Sequence, residues 1–128
     1  MIRVVVDTNI FVSALLQPLG PPAQALILAL SGLIQLCMSG NIYAEYEEVI
    51  RRARFRCAEQ TITAALDAIR SKAIWVRPPN SVTACSDPDD NMFLECAQAA
   101  QADYLVTGNL KHFPTSWGGT ASSRLGGC

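Results

Sequence analysis

The sequence carries one histidine, and its five cysteines include no Cys-x-x-Cys pair. A lone imidazole supplies neither a zinc cage nor, without a partner, a nucleophile–base pair, so His112 is expected to be structural or at most a substrate contact. Cys37, Cys57, Cys85, Cys96 and Cys128 are odd in number and widely spread. That pattern argues against a disulfide framework or a zinc ribbon and fits a reducing cytoplasm. Charge is scarce as well: 16% of residues are charged, with a net charge of −1. A protein that grips nucleic acid through a broad basic surface is therefore not expected. An acidic site that recruits a cation remains compatible, because the ion changes the local charge. Long hydrophobic runs are also missing. The longest apolar stretch, residues 23–36, is broken by Gln24, Ser31, Gly32 and Gln35, short of the roughly 20 residues that span a bilayer. No membrane span is expected. The opening MIRVVVDTNIF has no charged region followed by a small-residue cleavage site, so the chain is expected to stay in the cytoplasm.

What is present is a chain of 128 residues, half of them hydrophobic. That is one globular domain with a sizeable core. Residues 3–6 read as a buried strand, with Asp7 at its C-terminal end. After the breaker at residues 17–22, residues 23–33 read as a helix and 34–38 as a second strand. Residues 42–54 repeat apolar positions at helical spacing, 58–72 give another helix, and 74–76 a strand ended by Pro78 and Pro79. Ser86-Asp87-Pro88 is a helix start, a capping side chain followed by proline where the missing N–H costs nothing, for a helix running to about residue 102. Residues 103–107 form one more strand before a Gly108-Asn109 turn. Strands alternating with helices imply a three-layer α/β/α fold about a central parallel sheet. Ligands of such sheets bind beyond the C-terminal strand ends, where Asp7 and the turn at 107–109 both fall.

Acids at strand and helix ends have two readings. Asp7 after Val4-Val5-Val6 either caps the next element or does chemistry. Glu45 stands three residues after Ile42 and four before Val49, on the border of an apolar helix face. It can reach into a cleft or remain a solvated charge, and Glu47 and Glu48 point further away. Asp87, Asp89 and Asp90 fall in a helix's first turn, where the positive end of the dipole favours anions. Asp87 reads as the cap, and pattern ranks Asp90 slightly ahead of Asp89, although spacing alone does not choose. Carboxylates converging from separate elements repel unless a cation neutralises them, and oxygen ligands suit Mg²⁺ or Mn²⁺. Such an ion activates water and stabilises charge on a phosphate, as phosphodiester hydrolysis requires.

Three segments, VVVDTNIFVSALL, NIYAEYEEVIRR and DPDDNMFLECAQAAQADYLVTGNLKHF, together resemble the PIN domain, especially the prokaryotic branch described as toxins of toxin–antitoxin systems. The resemblance covers residues 2–117. It implies a metal-dependent ribonuclease holding Mg²⁺ or Mn²⁺ on Asp7, Glu45 and Asp90, with Thr8, Asn9, Asp87, Thr107 and Asn109 in support. It also implies an RNA substrate, an antitoxin partner and, since members often dimerise, a homodimer. The apolar helix at 23–33 agrees with a covered or self-associating surface.

Two departures stand out. Many relatives have aspartate at the place of Asn109, and an amide is a poorer metal ligand. Asp103 is a candidate replacement, but at the start of its strand it should lie at the far end of the sheet from Asp7. The end of the chain, GGTASSRLGGC, lacks the usual last strand, so residues 1–117 are expected to form the domain. Residues 118–128 are expected to be a loose tail, with the final strand missing or altered and a sheet edge left uncovered.

Arg51, Arg52, Arg54 and Arg56 beside the Glu45 helix either suit the negative end of its dipole or steer phosphates. Phe55 among them either stacks on a base or packs. The competing functions are an endoribonuclease and a PIN-like domain that binds RNA or protein without cutting. Phosphoryl transfer of the haloacid-dehalogenase type ranks third, because it wants an acid where Asn9 stands.

Overall fold

A computed structural model of the chain describes residues 2–53, 56–78 and 91–107, together with the backbone of two short segments, 116–117 and 120–124. The strands are β1 (Arg3–Val6), β2 (Gln35–Met38), β3 (Ile74–Trp75), β4 (Tyr104–Thr107), β5 (Ser116–Trp117) and β6 (Thr120–Arg124). The helices are α1 (Thr8–Leu16), α2 (Pro21–Ser31), α3 (Gly40–Arg52), α4 (Glu59–Lys72) and α5 (Asn91–Ala100). The sheet order is β3-β2-β1-β4-β6-β5. All pairings are parallel except that of β5 with β6. The expected three-layer α/β/α fold about a parallel sheet is the observed one.

Strand β1 is central, and its three valines are buried, as befits a strand covered on both faces. Helix α5 packs against β1, β2 and β4, and α1 against α2 and α3. Phe11 of α1 stacks on Tyr46 of α3 with ring centroids 4.3 Å apart and planes 6° from parallel. Both rings are fully buried, and they lock α1 to α3. Each of these helices starts on a side chain: Ile10 N–H donates to Asp7 Oδ1 and Ile42 N–H to Ser39 Oγ. Helix α2 has proline in its first turn and ends on Gly32, whose φ of 94° favours glycine.

Helix α1 lies where no element was expected. The end of the chain needs a correction: Thr120–Arg124 is a strand, paired in register with Tyr104–Thr107. The last strand is thus altered in sequence but not missing, and β4 is not left as an open edge. Strand pairing uses backbone groups that every residue of this strand supplies, so small residues such as Thr, Ala and Ser are enough.

Among the described residues no single helix is long and apolar enough to cross a membrane.

Candidate active site

The strand order reverses at β1, with β2 on one side and β4 on the other. This is the crevice where open α/β sheets bind ligands. Asp7 follows β1 there and is only 5% exposed. Its backbone N–H extends the ladder to the Val106 carbonyl at 3.0 Å. Its Oδ1 accepts from Ile10 N–H at 2.9 Å, and its Oδ2 accepts from the Thr107 hydroxyl. The capping reading of Asp7 therefore holds, and the same carboxylate also faces the end of β4. Thr107 is fully buried.

The next residue, Thr8, is buried and donates its hydroxyl proton to Glu45 Oε2. Glu45 is half-buried while Glu47 and Glu48 are exposed, as its place on the helix border predicts. Adjacent residues of one strand end thus contact both β4 and α3. Tyr46 was not singled out from sequence. Its hydroxyl donates to the Val6 carbonyl, so it ties α3 to the end of β1. Burial raises the Tyr46 pKa well above its ordinary value, and the Asp7, Cys96 and Glu45 charges push the same way. Tyr46 is a fixed donor and not a base. Asn91, which opens α5, is a second buried polar residue that spacing did not reveal.

Beside Glu45 lies a depression of about 430 Å³ lined by Asn41, Glu48, Arg52 and Met92 among others. Arg52 is ion-paired with Glu48 on this wall, and Arg51 with Glu59 at 2.6 Å. Asn9 and Arg56 are exposed. Asp87, Asp90, Asn109, Arg54, Phe55 and His112 lie outside the described residues. Asp103 stands at the opposite end of the sheet from Asp7, as expected: its Oδ2 accepts from Arg3 N–H at 2.9 Å.

Among the described residues no group of three His, Cys, Asp or Glu side chains gathers at one point. The side-chain partners of Asp7 and Glu45 are the hydroxyls of Thr107 and Thr8, so the donors gathered at this strand end are oxygens. Such donors fit a hard cation such as Mg²⁺ or Mn²⁺ better than zinc.

A family model described as PIN domain matches residues 3–111. The chain belongs to the PIN domain family. Members of this family are generally nucleases, and typically use divalent metals. Within 111 residues this PIN domain is 32% identical to an uncharacterized protein, MJ1680, of Methanocaldococcus jannaschii. The match covers 84% of this chain and 71% of that protein. The fold is similar to a crystal structure of VapBC2 from Rickettsia felis bound to a DNA fragment from their promoter, with a TM-score of 0.64 and 17% identity. That match covers 96% of this chain and 98% of the other.

Proposed function

We propose that this PIN domain is a metal-dependent endoribonuclease of the cytoplasm, acting as the toxin of a toxin–antitoxin pair. The observation that carries the reading is the buried Asp7 carboxylate at the β1/β4 crevice, held by the Thr107 hydroxyl and adjacent in sequence to the Thr8 that orients Glu45. Asp7, Glu45 and Asp90 would hold Mg²⁺ or Mn²⁺. When bound, such an ion supplies an acidified water and positive charge opposite the phosphate.

The chain's own residues do the positioning. Thr107 fixes the rotamer of Asp7, Thr8 fixes that of Glu45, and Tyr46 ties α3 to the end of β1 so that the Glu45 helix keeps its place. Asn9, Asp87 and Asn109 are further supporting residues in this reading. Arg52, on the wall of the depression beside Glu45, takes a substrate phosphate by leaving Glu48. Arg51, Arg54 and Arg56 extend the contact with RNA.

The likeness of fold to VapBC2 supports an antitoxin protein as partner. Exposed Ile27 and Leu28 on α2 support a homodimer. Light scattering at micromolar concentration is expected to give twice the chain mass, and a monomer there removes the dimer.

The test is cleavage of a mixed single-stranded RNA pool with Mg²⁺ or Mn²⁺ by the wild type, Asp7→Asn and Asp90→Asn. Metal-dependent cutting that both variants lose is the expected result. A folded wild type that cuts nothing in either metal, or variants that cut equally well, would sink the mechanism. RNA binding without cleavage would favour the non-catalytic PIN-like reading that Asn109 invites.

A further inference from the structure

A second set of side chains stands at the same end of the sheet and takes no part in the carboxylate site. Trp75 closes the edge strand β3, in register with Met38 of β2. Two strand spacings separate it from β1, roughly 10 Å. Its indole N–H donates to the Arg70 carbonyl at 3.1 Å. The ring meets Tyr43 of α3 at 5.4 Å between centroids and 56° between planes. The Arg70 guanidinium lies 5.8 Å from the centre of the Tyr43 ring, and its Nη2 donates to the Tyr43 hydroxyl at 3.4 Å. That hydroxyl donates in turn to the Leu66 carbonyl.

These contacts explain how α3, α4 and β3 are joined. They do not use the whole indole, which stays 42% exposed. Its N–H is already engaged by the Arg70 carbonyl, and the exposed ring is held in one orientation by that hydrogen bond and by a second ring. Arg70 and, two residues past Trp75, Arg77 are exposed beside it. Asp67 and Glu47 are within electrostatic reach of Arg70, so the patch is not a broad basic surface. An oriented, open aromatic with a planar cation at its side is what an unpaired base stacks on.

We infer that Trp75, with Tyr43 and Arg70, is a stacking subsite for an unpaired base of a single-stranded nucleic acid whose backbone runs on to the Asp7–Glu45 crevice. The inference rests on the proposed reading of that crevice as a phosphodiester site. Tyr43 and Glu45 lie two residues apart on α3 and leave it on opposite borders of its exposed face, Tyr43 toward α4 and Glu45 toward Thr8, so the nucleic acid would cross that face between the platform and the acid. A base inside a duplex has no open face, which makes the subsite selective for single strands.

The experiment measures binding of fluorescein-labelled hexauridylate, and of a duplex of equal length, to the full chain carrying Asp7→Asn so that the probe is not consumed. Adding Trp75→Ala is expected to weaken single-strand binding about ten- to hundredfold, the range for one lost base stack, and to leave duplex binding unchanged. Trp75→Phe is expected to keep most of the affinity. Arg70→Ala is expected to lower the salt dependence by about one counterion, whereas Trp75→Ala should not. Equal binding by folded Trp75→Ala, or an equal loss on the duplex, overturns the inference. Should Trp75→Ala fail to fold, quenching of Trp75 fluorescence by hexauridylate in a Trp117→Phe chain reads the same contact, and absence of quenching overturns it.

Failures of the two readings separate cleanly. If the wild type cuts RNA but Trp75→Ala has an unchanged KM, the stacking subsite falls while the nuclease stands. If the wild type cuts nothing yet binds hexauridylate through Trp75, the nuclease falls while the subsite stands.

Discussion

The two ends of the sheet both carry an aspartate beside the β1/β4 pair, and they use it differently. At the N-terminal end Asp103 accepts from the backbone N–H of Arg3, and Arg3 donates through its guanidinium to the Ala100 carbonyl at the end of α5. Those bonds are exposed or half-buried and serve the backbone, closing the strand pair against the helix. At the C-terminal end Asp7 is buried, and its carboxylate is shared between a helix N–H and the hydroxyl of a residue on the neighbouring strand. An acid at a strand end is therefore not a site by composition or by proximity to a sheet. Burial and convergence with a second element distinguish the two.

Exchanging the charge at each end tests that contrast most strongly. Asp7→Asn keeps a good helix cap, so thermal stability should change little, while cleavage is expected to fall about a hundredfold or more through loss of metal-binding charge. Asp7→Ala should add the cost of the lost cap, about 1 kcal/mol in urea unfolding. Asp103→Asn should leave cleavage unchanged; a matching loss at both ends would erase the distinction.

A smaller effect is expected from Thr107→Val, which removes the hydroxyl donated to Asp7 but keeps the branched shape in a buried strand. Cleavage should drop about tenfold, the lower range for a residue that orients a metal ligand. An unchanged kcat/KM would mean that the Asp7 rotamer is fixed without it.

At neutral pH the smallest effect belongs to Tyr46, and it grows with alkali. Burial first, then the Asp7 charge, raises the folded Tyr46 pKa above the ordinary 10.0. The unfolded chain therefore gives up this proton at a pH where the fold still holds it. Stability from Tyr46 is complete below pH 10 and declines as pH rises beyond it, by about 1.4 kcal/mol per pH unit for one proton. Cys96, pushed up from 9.0 to about 12 by burial and then by Cys37, adds a decline of the same sign starting near pH 9. Urea unfolding across pH 8–11 should show the slope, and Tyr46→Phe should flatten the part above pH 10. A slope that persists undiminished in that variant would assign it to other groups.

Much of this architecture is legible in the sequence because each legible element has a local cause. Strand β1 was bounded by its run of valines, α3 by the spacing of Ile42, Tyr46, Val49 and Ile50, and Glu45 by its place between Ile42 and Val49. Helix α1 was not legible. In TNIFVSALL six of the nine positions are apolar and the polar Thr8, Asn9 and Ser13 do not mark out one face, so a helix of that kind reads like the continuation of a strand. The signal that was available is Asp7 itself, a capping residue three positions before Ile10. Strand β6 escaped because TASSR has no alternating apolar face, and pairing through the backbone leaves no mark on side-chain pattern. The Thr8 to Glu45 and Tyr46 to Val6 bonds join residues 37 and 40 positions apart. Tertiary contacts at that distance have no spacing rule to betray them.

The bond between Asp7 and Thr107 closes a loop of 100 residues. During synthesis, β1 and its acid emerge before β4 and wait unpaired on one side while two strands and five helices follow. Only when β4 has been made can Asp7 meet its hydroxyl partner, and so distant a contact carries the larger loop-closure cost. The crevice is thus completed only after β4 has emerged, and a chain stopped before it carries Asp7 and Glu45 without the Thr107 hydroxyl that holds the first of them.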